Sequence, residues 1–486
     1  MYTNSSNYPI GIEQTRIALL SKIYIWSVVV EPLLFFNPGH YFAIAFTLPR
    51  FLQFIVLISL FLRSVSRYNS SNKNYALTIF NPFYPVYKFY SYFFILACLS
   101  GLYGILSGAY VIPTLSITES IKVSVLRPFF EYFIAFYYFT YFVVLFKYFI
   151  KDYAAINYFF KIFKIVFYFS LLTGLLDYIL ILTISGYDGL PRNLSDFRRP
   201  GLRFHGVIGE PRDAFVFLIF GLGVLTVKDI WFNKKKLSFS MIILILTALF
   251  LTESASGIIG LLFSSILLFI YFLPHNGFIK NFKIIMLVLL LVIFSFIAIT
   301  NSKRVSLYYS GFENLYSTLE SGARLEYPLS VAANNIYPIW HRWTEVLELN
   351  FTPLILGTGL GSTSVINNIY YSLADREFNI INNPNANVIR IIYGSGILGT
   401  LIYIAAFILP IKLKRLFLPR KIFFKIIVLM FIILGSSFAH RTVTPFLFLG
   451  VILVVFKHKY VNVNSNVYNS RNNSLANPSK AEESAS

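Results

Sequence analysis

The stretch from Ser185 to Asp213 gathers Arg192, Arg198, Arg199, Arg203 and Arg212, with His205 and Glu210 among them. Guanidinium groups clustered this closely suit an anion, because each presents a planar fork of donors that matches phosphate oxygens. The run Gly209-Glu210-Pro211-Arg212-Asp213 reads as a helix start. Pro211 suits the first helical position, and Asp213 falls in the first turn, where an acid meets the positive end of the helix dipole. The N–H groups at such an end, beside Arg198, Arg199 and Arg203, form a phosphate cradle. Lipid headgroups and the carboxylates of Asp188 and Asp196 compete for the same arginines. Glu210 reads as a cap, an ion-pair partner of Arg203, or a base. His205, His341 and His440 are alternative bases, since imidazole titrates near neutral pH.

A second unusual segment runs from Asn301 to Asn387 and carries Arg324, His341, Arg342 and Arg376. Its five Lys and Arg are outnumbered by seven Asp and Glu, so an anion site here must come from placement rather than bulk charge. The run Gly357-Thr358-Gly359-Leu360-Gly361-Ser362 resembles a phosphate loop but lacks the Gly-Lys-Ser/Thr ending, and reads as a tight turn under a membrane edge. Gly394-Ser395-Gly396-Ile397-Leu398-Gly399 matches the dinucleotide fingerprint, yet it lies in an apolar run and follows no strand. Close helix packing by small residues explains it better. Trp340, Trp343, Tyr370 and Tyr371 either stack on sugars or line a membrane interface.

The elements that must position these groups are set by composition. Of 486 residues, 57% are hydrophobic, 13% charged and 19% aromatic, with 52 Phe and 34 Tyr. A soluble chain carries roughly 25% charge, and no globular interior absorbs so many rings, so they face lipid or each other. The expected class is an all-α polytopic membrane protein. Cys98 is the only cysteine, which excludes an internal disulfide and cysteine-rich metal or iron–sulfur sites. No metal-ligand spacing occurs, and no internal or inverted repeat is evident.

With about 20 apolar residues per crossing, twelve spans are predicted: 17–36, 41–62, 90–112, 126–146, 165–185, 211–227, 239–253, 257–273, 283–300, 388–410, 422–437 and 444–457. With the N-terminus inside, alternate loops hold the basic sets Arg63, Arg67, Lys73 and Lys88, then Lys147, Lys151, Lys161 and Lys164. Lys228 with Lys234 to Lys236, then Lys280 and Lys283, then Lys412, Lys414, Arg415, Arg420, Lys421 and Lys425 continue the series. This satisfies the positive-inside rule with both ends cytoplasmic, and it accounts for most of the net charge of +20 without nucleic acid. Residues 1–457 then form the transmembrane domain, 301–387 its large, partly helical extracytoplasmic loop between spans nine and ten, and 458–486 a disordered, Asn- and Ser-rich cytoplasmic tail. Residues 1–16 are polar and run into the first span, so no cleavable signal is expected. Asp177, Glu131 and Glu253 lie inside or at the ends of spans. Arg127 and Glu131, four apart, read as a structural pair.

In this order the motifs resemble the membrane O-antigen polymerases (Wzy type) and the related O-antigen ligase superfamily. The matching residues are Arg203-Phe204-His205-Gly206 with Gly209-Glu210-Pro211, Leu251 to Gly257, Arg324 with Gly357 to Ser362, and Asn385 to Gly399. The ligases carry a His-Asn pair at the start of the last motif; here Asn385-Ala386 stands there, which favours a polymerase. The resemblance implies a glycosyltransferase of the inner cell membrane that faces the periplasm and needs no metal, nucleotide or other cofactor. It moves a growing glycan from polyprenyl diphosphate to a hydroxyl of a new lipid-linked repeat unit. A chain-length regulator, a flippase and membrane lipids are the implied partners. By the same resemblance Arg203 and Arg324 stabilise the departing diphosphate, with Glu210 as base ahead of His341. Arg198, Arg199, Arg342, Asn385, Gly359 and Gly361 are implied to line the substrate. A ligase acting on lipid A–core and a polysaccharide flippase are the competing readings.

Overall fold

The computed structural model describes residues 17–33, 48–68, 85–110, 127–187, 189–190, 203–208, 211–232, 239–254, 329–363, 365, 387–412, 420–436 and 443–455. Among these residues every regular element is helical. In chain order they are α1 (Leu19–Val29), α2 (Leu48–Tyr68), α3 (Pro85–Leu106) and α4 (Arg127–Phe139), which passes through a π-helical turn (Thr140–Val144) into α5 (Leu145–Phe149). Then come α6 (Tyr153–Thr183), α7 (Pro211–Phe232), α8 (Phe239–Leu251), α9 (Leu329–Leu347) and α10 (Thr352–Leu356). The series closes with α11 (Asn387–Lys412), α12 (Arg420–Ser436) and α13 (Val443–Val455).

Helices therefore stand at ten of the twelve predicted spans. The spans at 257–273 and 283–300 lie outside the described residues, as does the tail from 458. Among the described residues, four stretches are long and apolar enough to cross a membrane: Lys88–Leu106, Phe129–Phe149, Tyr153–Thr183 and Ile389–Ile411. The protein is a helical membrane protein, with no strand among the described residues. The long loop contributes α9 and α10.

Two helices differ from their expected outlines. α6 begins at Tyr153, ahead of the expected 165, because the Asp152 side chain caps it, accepting from the Ala155 N–H at 2.7 Å. Its added turns keep Lys161 and Lys164 exposed while Phe159, Phe160 and Phe163 are buried. Span four carries the π turn. There Tyr24 donates its hydroxyl to the Tyr141 carbonyl at 2.7 Å, and Ser27 Oγ lies 2.7 Å from the Tyr141 hydroxyl. A Cβ at Gly450 would meet the Phe142 carbonyl oxygen at 2.4 Å, so α13 approaches the same turn closely. A side chain bonded into the backbone ladder is a recognised cause of such a bulge.

The aromatics divide as the composition demands. Inside, Phe163 and Phe167 of α6 stack at 6.0 Å and meet Phe217 and Phe220 of α7. Tyr90 of α3 stacks on Phe139 at 4.2 Å. Outside, Phe129, Phe133 and Phe136 of α4 and Phe169 of α6 are exposed on the helix surface.

Trp26 and Lys22 of α1 meet Tyr158 near the start of α6, Tyr24 stacks on Phe149 at the end of α5, and Phe160 meets Phe232 at the end of α7. The ends of α6 and α8 share the segment 203–208. The end of α3 meets the glycine run and the start of α11.

Candidate functional site

Arg203 sits in the short segment between α6 and α7 and is buried. Its Nε donates to the Thr252 carbonyl at 2.9 Å and a terminal nitrogen donates to the Glu253 carbonyl at 3.4 Å. The Phe204 N–H donates to the Leu251 carbonyl at 2.7 Å. The last carbonyl of α8, at Leu251, is thus closed by Phe204, and the two carbonyls that follow the helix, at Thr252 and Glu253, are closed by Arg203. Chain reversal here takes Glu253 into the left-handed region at φ 44°. A fixed guanidinium at the negative end of a helix is electrostatically favourable. The sequence pairs Arg203 with a helix start, at α7; its described contacts are with a helix end, at α8.

Two residues on, His205 is buried beside Asp177 of α6, with Nε2 3.9 Å from Asp177 Oδ2. The His205 Nδ1 lies 2.8 Å from the Gly206 carbonyl, which can only accept, so Nδ1 carries a proton. The other oxygen of Asp177 accepts from the Tyr187 hydroxyl at 2.9 Å and from the Leu190 N–H at 2.7 Å. Asp177 therefore ties the turn after α6 to the arginine motif. Gly206 makes the approach possible: its φ is 53°, and a Cβ on the facing Gly174 would meet the Gly206 Cα at 2.7 Å. As expected, Pro211 begins α7 and Asp213 lies in its first turn, with Arg212 Nε 3.6 Å from Asp213 Oδ1.

The second centre forms where α9, the glycine run and α11 meet. α11 is broken at Gly396, whose φ of 65° and ψ of −174° are not helical. The break turns the carbonyls of Tyr393 and Gly394 to new donors. Thr358 N–H takes the first at 3.2 Å, and Gly359 N–H takes the second at 2.7 Å. Both sequence look-alikes, Gly357 to Ser362 and Gly394 to Gly399, are thus packing devices that fit each other. Gly359 and Gly361 adopt φ of 98° and 87°.

Arg342 is buried over this junction. Its guanidinium carbon stands 3.9 Å from the Tyr393 ring centroid, one terminal nitrogen donates to Tyr393 O at 2.8 Å and to Thr358 Oγ1 at 2.6 Å, and the other donates to Glu345. His341, one residue earlier, is only partly buried. Its Nδ1 lies 3.3 Å from the Tyr393 hydroxyl and 3.6 Å from Glu345 Oε1. Burial pushes the His341 imidazole below its ordinary value of 6.5; Glu345 draws it back, Arg342 pushes it down again and Glu348 opposes that. The ring is therefore neutral at pH 7 with Nδ1 held by Tyr393 and Glu345, the state a proton acceptor needs.

The sign of this shift has a stability consequence. Below 6.5 the unfolded chain protonates His341 before the folded chain does, so acidification through that window costs stability. The thermal midpoint of the wild type should fall more steeply from pH 6.5 to 5 than that of His341→Gln. Equal slopes would show that burial does not depress this imidazole.

Of the ten residues expected to act on or line the substrate, Arg203, His341, Arg342, Gly359 and Gly361 are described, in two groups. Glu210, Arg198, Arg199, Arg324, Asn385, His440, Tyr370 and Tyr371 lie outside the described residues, and so does the side chain of Arg127. Trp343 is exposed and Glu131 is buried. Glu345 and Tyr393 were not foreseen as neighbours of His341. The spacing of four from His341 to Glu345 was a signal available on one helix face; Tyr393 gives none. No family model matches this chain, and neither a curated protein nor a solved structure matches it.

Proposed function

We propose that this protein polymerises lipid-linked oligosaccharide units of a surface polysaccharide. The growing glycan leaves polyprenyl diphosphate for a hydroxyl on a new lipid-linked unit. In this reading twelve spans place both termini in the cytoplasm and the long loop outside, in the inner membrane. The observation that carries it is the immobilised Arg203 guanidinium, buried on a segment that also holds the His205–Asp177 pair. A diphosphate gains negative charge as the sugar–oxygen bond breaks, and a cation already oriented in a water-poor site stabilises that charge without reorganising. Arg324 is the second proposed cation. Glu210 is the proposed base ahead of His341, whose neutral ring and restrained Nδ1 suit the same task.

One observation favours a flippase instead. Glu31 of the α1 end accepts from Gln53 at 2.7 Å and lies 3.6 Å from Arg50, while Tyr137 donates to Gln53, so α1, α2 and α4 share a polar group inside the bundle. Charged residues at membrane depth often mark a pathway.

A single reconstitution separates the readings. Purified protein in vesicles, given lipid-linked repeat units and a metal chelator, should yield a ladder of polymer on the lipid. Units that cross the bilayer without lengthening would replace the polymerase by a flippase. Glycan transferred only to added lipid A–core would replace it by a ligase.

A further inference from the structure

α10 and the glycine run meet α3 and α11 well inside those two apolar stretches rather than at their tips. Ser100 donates to the Leu356 carbonyl, and a Cβ at Gly104 would lie 1.8 Å from the Thr358 carbonyl oxygen. The apolar stretch of α3 continues to Leu106, so Ser100 is about 9 Å along the helix from that end at 1.5 Å per residue. On α11 the apolar stretch starts at Ile389, and Gly396, whose Cβ would meet the Ile355 carbonyl oxygen at 2.1 Å, is about 10 Å in.

Irregular backbone is tolerated at such depth only where its polar groups are bonded and buried. Several of the groups here are bonded and buried. Gly357 N–H donates to Pro353 O, Thr358 and Gly359 N–H donate to Tyr393 and Gly394, Ser362 N–H donates to Gly359 O, and the Tyr110 hydroxyl donates to Leu360 O at 2.8 Å. Residues 357–360 are buried.

Beside the polar Asn350 and Thr352, the outward side of the same segment leaves large apolar side chains uncovered. Leu349, Phe351 and Ile355 are exposed, and so are Ile339, Trp343 and Leu347, which recur every four residues along one face of α9. The polar face of α9, with Arg342 and Glu345, is turned to the glycine run. Through Ser100 at Leu356 and Gly396 at Ile355, the exposed Ile355 lies beside the two long apolar helices that hold it, which expose Leu99 and Leu102 on α3 and Ile397, Leu398 and Leu401 on α11.

From this continuity we infer that Leu349 to Ser362 is a re-entrant segment dipping into the lipid leaflet on the long-loop side. The Ile339–Trp343–Leu347 stripe lies along the surface of that leaflet. The partner is phospholipid: acyl chains against Phe351 and Ile355, and the headgroup boundary against Trp343, a ring suited to that depth. His341 is thereby held at the level of lipid headgroups. The inference needs no assumption about chemistry and stands or falls separately from the polymerase reading.

Spin labels test it. In a Cys98→Ser background, Trp343→Cys, Leu347→Cys, Ile355→Cys and, as a control on exposed Glu348, Glu348→Cys are labelled and the protein is placed in phospholipid nanodiscs. Lipid-soluble oxygen should relax the labels at 343, 347 and 355 more than a water-soluble nickel chelate does, with the order inverted at 348. In unlabelled protein, brominated phospholipids should quench a component of tryptophan fluorescence that Trp343→Phe removes. Chelate-dominated relaxation at 343, 347 and 355 would place the face in water. Exclusion of both reagents would mean that protein covers it. Either result overturns the inference.

Discussion

Arg203→Ala should reduce polymer by about a hundredfold or more, the scale of losing one preorganised charge-stabilising donor. It should also lower the thermal midpoint. The second effect follows from contacts already described: Thr252 is buried, and its carbonyl would lose the Nε donor at 2.9 Å. A buried group left unsatisfied costs about 1–3 kcal/mol. Because both effects are expected, the alanine variant alone does not separate them. Arg203→Lys does. An ammonium can donate to one of the two carbonyls after α8 and keep the charge, but it cannot reproduce the fork that reaches Thr252 and Glu253 together. The lysine variant should therefore recover most of the midpoint and little of the polymer, read by glycan ladders from membranes with equal protein content. If Arg203→Lys makes wild-type polymer, the guanidinium serves only to close α8 and the proposed diphosphate contact is wrong.

How much of this was legible beforehand depends on how local each cause is. Pro211 and Asp213 act within one turn, and α7 begins where they place it. The apolar runs set helices at ten predicted spans, and four described stretches among them are long and apolar enough to cross a membrane, because hydrophobicity over about 20 residues is a property of the local sequence. That the aromatics divide between exposed helix faces and contacts with each other followed from number alone. The partners of Arg203 were not legible, since Thr252 is 49 residues away and a carbonyl has no signature in a sequence. The same holds for Tyr393 at His341, 52 residues apart. The π turn depends on a Tyr24 hydroxyl arriving from another helix, 117 residues distant. Asp152, by contrast, is a local cap that the window placed on 165–185 stepped over. Hydropathy averages weigh lipid contact, and the first turns of α6 are amphipathic.

The glycines show the same division, and they carry the largest expected loss. Gly394 to Gly399 reads correctly as small-residue packing, but the letters do not say which glycine is indispensable. Gly396→Ala should abolish recoverable folded protein. Its φ of 65° already disfavours any side chain, and its Cβ would lie 2.1 Å from Ile355 O, 2.4 Å from Ile355 C and 2.6 Å from Gly357 N. All three are backbone atoms, so relief means withdrawing α10 from the break in α11. That would strip Tyr393 O and Gly394 O of the Thr358 and Gly359 donors. The cost should exceed about 3 kcal/mol, the upper end of ordinary overpacking. Gly108→Ala is the matched control: its φ is 75°, with nothing within 4 Å of the added carbon, so only strain of about 1–2 kcal/mol remains. Size-exclusion profiles of the detergent-solubilised variants after a heat step give the comparison. The Gly108 variant should keep a monodisperse peak close to wild type, whereas the Gly396 variant should be lost or aggregated. Equal survival of the two would mean that α11 runs unbroken through position 396, and the seat of α10, with the orientation of Arg342 above it, would have to be redrawn.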